Sequence, residues 1–106
     1  MLKYNLHDSL IERIDYESKI KKLDITIDLC NWLQVDYVEG EPENSIIHMI
    51  FNNVTHFDTN FMNYNFESNE ILEVIEIDRN TLKLVFMGNN DVETIVISAS
   101  EIMFSI

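Results

Sequence analysis

The sequence predicts an all-β domain of about six mainly antiparallel strands, a duplicated three-stranded meander forming a small barrel or a sandwich. Three observations carry that prediction. Residues 69–88, NEILEVIEIDRNTLKLVFMG, hold two β-rich runs, 71–77 and 81–87, around a short polar connection, which is the pattern of a hairpin. Residues 23–29, LDITIDL, alternate without error, Leu23, Ile25, Ile27 and Leu29 on one face and Asp24, Thr26 and Asp28 on the other; this is the period of a half-buried strand. Third, the two hairpins align: LIERIDYE from Leu10 with ILEVIEID from Ile71, and LDITID from Leu23 with LKLVFM from Leu82. Each copy continues, after a polar loop, into a further β-rich run, IIHMIF at 46–51 or VETIVI at 92–97, followed by an apolar patch ending in Phe57 or Phe104.

In chain order, the run 10–16 places Leu10, Ile14 and Tyr16 at even positions, with Ile11 the apolar exception. A helix from Asp8 competes, and the alternation of the following run favours a strand. Residues 17–22 are charged and short, as a hairpin turn is. Residues 30–38, CNWLQVDYV, extend the second strand past a bulge, until EGEPEN breaks it with the single Pro and one of two Gly residues into an exposed acidic loop. Residues 58–69, DTNFMNYNFESN, read as an Asn-rich loop whose Phe61, Tyr64 and Phe66 cap an open barrel end. In the second hairpin, Asp78-Arg79-Asn80 form a three-residue loop with Asn80 left-handed, and Leu82, Leu84 and Phe86 face the core. The chain reads as one domain, 1–106, with an internal repeat spanning 9–57 and 69–106.

Charge is unevenly placed along the chain. The 106 residues carry 19 acidic and 7 basic side chains, a net charge of -12. Between Lys22 and Arg79 there is no Lys or Arg. Such a middle repels phosphate backbones and draws basic partners, so direct nucleic-acid binding is not expected; a merely solubilising surface is the alternative. No run approaches the roughly 20 apolar residues of a membrane helix, the opening MLKYNLHD has no signal-peptide core, and Cys30 is the single cysteine. A cytoplasmic location without membrane contact is expected.

No group of residues announces catalysis. His7-Asp8-Ser9 places a carboxylate, an imidazole and a hydroxyl together, but triads are assembled from distant segments, and Asp8 and Ser9 suit backbone capping where the first strand begins. His48, His56 and Asp58 are the one metal-like grouping, with neither the paired spacing nor the Cys ligands of a zinc site; His48 fits a sheet face. Cys30 has no cation near it in sequence to activate it. With two glycines in the chain there is no phosphate-binding loop. No enzyme activity, cofactor or metal is expected.

Leu6-His7-Asp8-Ser9 before an immediate hairpin, Phe51-Asn52-Asn53-Val54 near the middle, and Ser98-Ala99-Ser100-Glu101-Ile102 near the end resemble a group of small all-β bacterial domains. That group opens with a Leu-His-Asp motif and includes immunity proteins of polymorphic toxin systems and uncharacterised relatives. The resemblance implies a cytoplasmic, non-enzymatic binder that neutralises a toxin. On this chain the expected docking surface for a basic protein partner joins Asp36, Glu39, Glu41 and Glu43 with Glu73 and Glu76, and Trp32, Tyr37 or Tyr64 supply the buried anchors. The alternative is a small-ligand-binding barrel using the aromatic loop 57–66. A homodimer through an open sheet edge at 92–97, unprotected by Lys or Pro, is a further expectation.

Overall fold

The computed structural model describes residues 2, 4–60, 68–88 and 91–106. Among these, six strands form in order: β1 (Leu10–Glu17), β2 (Lys22–Cys30), β3 (Asn44–Thr59), β4 (Asn69–Asp78), β5 (Thr81–Met87) and β6 (Val92–Ser105). A single 3-10 turn, Asn31–Leu33, follows β2. All neighbouring strands are antiparallel and close into a ring in the order β1-β2-β3-β6-β5-β4. The ring is two three-stranded meanders joined along β3·β6 and, at a short seam, along β1·β4.

Alternation sets which residues face inward. Leu23, Ile25 and Ile27 on β2, Met49 and Phe51 on β3, Leu84 and Phe86 on β5, and Ile95 and Ile97 on β6 are fully buried. They fill the interior as one apolar cluster, joined at one end by Leu6, as a small ring of strands requires. Tyr16 and Phe57 pack with ring centroids 4.9 Å apart, and Tyr4 meets Phe104 edge-on at 5.0 Å.

Bulges explain where simple alternation misleads. In β1, Ile11 pairs with Ile27 and Arg13 with Thr26, so Glu12 is the extra residue and the inward side switches from odd to even positions. Ile11, the exception in the sequence pattern, is thus fully buried. β4 repeats this: Ile71 pairs with Phe86 and Glu73 with Val85. The true counterpart of Ile71 is therefore Ile11 rather than Leu10, a one-residue correction to the repeat alignment. The counterparts on β2 and β5, Leu23 with Leu82, stand as aligned.

Four further expectations are corrected. The β4–β5 connection is the two residues Arg79 and Asn80; Asn80 is not left-handed, and its amide is instead held by Asp78 Oδ1 at 2.8 Å. Residues 31–38 do not extend β2, because the chain turns away at Asn31–Leu33. β3 and β6 run to 16 and 14 residues, continuing through the polar Asn52-Asn53 and Ser98-Ala99-Ser100 segments that separated two patches in the sequence. The break is absorbed at Asn53, whose φ is 54°, and at the register shift between Val54 and His56. Finally, 92–97 is not an open edge along its length: β6 pairs with β5 from Val92 to Ser98 and with β3 from Ile95 onward, so Ile95, Val96 and Ile97 are bonded on both sides, and Thr94 bonds Asn60.

Candidate partner-docking surface

Loop 31–43 leaves the end of β2 and returns to β3, and its own hydrogen bonds fix its shape. Asn31 N–H donates to Glu43 O at 2.8 Å, Gln34 N–H to Asn31 O at 2.9 Å, and Tyr37 N–H to Gln34 O at 3.1 Å. Gln34 Nε2 donates to the carbonyls of Cys30 and Asn5, both at 2.8 Å, tying the loop to β2 and to the N-terminal segment. Asn31 Nδ2 donates to Pro42 O at 3.0 Å, and Ser45 Oγ donates to Asn31 Oδ1 at 2.9 Å. A loop with this many internal bonds presents a preformed surface.

Two of the expected docking residues build the loop itself. Glu41 Oε1 accepts the Val38 amide at 2.8 Å, and Glu41 O accepts the Tyr37 hydroxyl at 3.0 Å. Asp36, Glu39 and Glu43 are exposed, and Trp32 is 51% exposed. Val35 and Val38 project furthest, at 105% and 62% exposure. Sequence patterning misses these two valines because it reads QVDYV as strand, which turns alternate members inward. Their signal was present: apolar residues interleaved with carboxylates ahead of Gly40, whose φ is 98°.

Glu73 and Glu76 lie on β4, on the other side of the N-terminal segment. Asp36, Tyr37 and Glu41 line a cavity of about 220 Å³ together with Tyr4 and the floor residues Leu29 and Ile47. Glu73 and Glu76 line a neighbouring groove of about 350 Å³ with Leu2, Leu6 and, again, Tyr4. Tyr4 is thus the wall between them. The structure brings loop and strand carboxylates to adjacent hollows, while Trp32, Glu39 and Glu43 line neither. Tyr64, and with it Phe61 and Phe66 of the aromatic loop, lie outside the described residues. Of the expected ligand mouth, Phe57 is accounted for by its packing on Tyr16.

The residues singled out for chemistry are engaged elsewhere. Ser9 is fully buried, and its Oγ accepts the Cys30 amide at 3.0 Å, while His7 Nδ1 stands 3.1 Å from Asp8 Oδ1 at the surface. The hydroxyl therefore serves the β1–β2 framework and the imidazole does not activate it. His48 lies on the outer sheet face with Nδ1 2.9 Å from Asp24 Oδ1 and 3.4 Å from Thr26 Oγ1, both across the β2·β3 pairing. Among the described residues no three His, Cys, Asp or Glu side chains converge as a metal site. Cys30 is buried; burial pushes its thiol pKa up, aided by Asp8, Asp28 and Glu70 and opposed by a hydrogen bond with Trp32.

No helix among the described residues is long and apolar enough to cross a membrane. Comparison of the chain with protein-family models, with curated proteins and with solved structures gave no match.

Proposed function

We propose that this chain is a cytoplasmic, non-enzymatic protein-binding domain that docks a basic protein partner on loop 31–43, in the manner of an immunity-type inhibitor covering a basic toxin. One observation carries the reading: Trp32, Val35 and Val38 stand exposed on a preformed loop whose charged residues, Asp36, Glu39, Glu41 and Glu43, are all acidic. Exposed apolar anchors amid one sign of charge are how a protein interface divides its labour, the anchors giving affinity and the charge giving orientation and association rate.

The test is affinity capture of a basic partner from source cells, followed by measured binding of that partner to variants. Trp32→Ala is expected to speed dissociation, weakening affinity by about ten-fold or more. Glu39→Lys with Glu43→Lys is expected to slow association and to flatten its dependence on salt. A captured partner that binds both variants like the parent protein rules out loop 31–43 as the docking surface.

A further inference from the structure

The two meanders share one fold and differ on their outer faces. Outward residues of the first, at counterpart positions of β1 and β2, are Asp15, Thr26 and Asp28; in the second the same positions are Ile75, Val85 and Met87. The backbone arrangement therefore does not demand an apolar outer face. Yet β4, β5 and β6 present one: Ile75 is 37% exposed, Ile77 55%, Met87 44% and Val92 40%. Register makes the patch continuous, since Lys83 lies opposite both Ile75 and Val96, and Met87 lies opposite Val92. A contiguous apolar sheet face marks an interaction surface.

We infer that this face is where two copies of the chain associate, sheet face to sheet face, as a two-fold dimer. Charge selects the occupant. The patch carries Glu73 on β4 and Lys83 on β5, opposite in sign; Glu73 pairs with Val85 and Lys83 with Ile75, so the two charges lie diagonally on the face, with Val85 and Ile75 at the other two corners. A two-fold axis near Val85 places Glu73 of each copy against Lys83 of the other, so the surface is complementary to itself. A basic partner is drawn to the acidic loop, whereas this near-neutral face is where a second copy of a chain with net charge -12 meets least repulsion.

Sedimentation equilibrium between about 10 and 500 µM tests this, since a dimer must populate by mass action. The expected result is a concentration-dependent dimer that tightens at about 0.5 M salt, where repulsion between acidic copies is screened. Val85→Glu and Ile75→Glu are expected to weaken it about ten-fold or more, and Ile46→Glu, on the first meander, to leave it unchanged. At low salt, Lys83→Glu weakens the dimer and the double exchange Glu73→Lys, Lys83→Glu restores it. These surface charge variants keep the core intact, so they remain informative if Val85→Glu fails to fold. A monomer throughout the range, or a dimer indifferent to Ile75→Glu and Lys83→Glu, overturns the inference.

Discussion

Ser9 is the fully buried polar side chain of the described interior, and its hydroxyl is the acceptor for the Cys30 amide. Ser9→Ala removes the acceptor and leaves a buried N–H without a partner, which costs about 1–3 kcal/mol; urea unfolding reads the loss directly. The Leu-His-Asp-Ser start was legible as a strand-entry device, but the partner was not, because Cys30 lies 21 residues away and only the β1·β2 pairing brings it near. Cys30 itself gives a pH prediction. Its folded pKa lies above its unfolded one, raised first by burial, so the folded state holds the proton longer. Stability from this group is complete below the unfolded value of about 8.5 and is lost as pH rises through the folded value. Thermal melting should therefore fall more steeply between about pH 8 and 10 in the parent than in Cys30→Ala, and thiol reagents should label the folded protein slowly until it is denatured.

The elements that were legible are those whose alternation is uninterrupted, β2 and β5, and those that were misplaced are the ones carrying a local irregularity. In β1 an extra residue at Glu12, and in β4 one at Leu72 ahead of a second at Ile77, reverse the inward side, which shifts a repeat alignment by one while leaving the strands recognisable. In β3 the pair Asn52-Asn53 looks like punctuation. The strand runs on through it, because the left-handed Asn53 lets the chain bend just ahead of the register shift between Val54 and His56, while its Nδ2 donates to Ser100 Oγ on β6 at 2.9 Å. Asn53→Val places a β-branched residue at that φ and is expected to cost about 1–2 kcal/mol, and Asn53→Gly to cost less than Val because glycine accepts the backbone. Equal losses in denaturant melts would mean that the side-chain bond, not the backbone, holds the bend. For the docking loop the carboxylates were legible from composition alone. Val35 and Val38 were not, since their exposure depends on the turn at Asn31–Leu33 rather than on any periodicity.

At the scale of the whole molecule, salt acts on two properties in opposite directions. Nineteen acids and seven bases are brought together when the chain folds, and the compact state bears more self-repulsion than the extended one. The opposing local pairs are surface contacts such as Arg13 with Asp15 at 3.5 Å, both largely exposed, and pairs of that kind contribute little. Adding sodium chloride to about 0.5 M shortens the screening length to a few ångströms, so the melting temperature is expected to rise with salt while affinity for a basic partner falls. The cations are placed to sharpen this. Lys19, Lys21 and Lys22 sit at the β1–β2 turn and the acidic loop leaves the far end of β2, about 30 Å along a nine-residue strand, so the loop's field is not neutralised locally. Glu39→Lys with Glu43→Lys should then raise the melting temperature at low salt, lose that gain at high salt, and weaken partner binding in the same protein. A melting temperature that falls on charge reversal would show that these carboxylates stabilise the fold, whereas a rise accompanied by lost binding places their use in recognition.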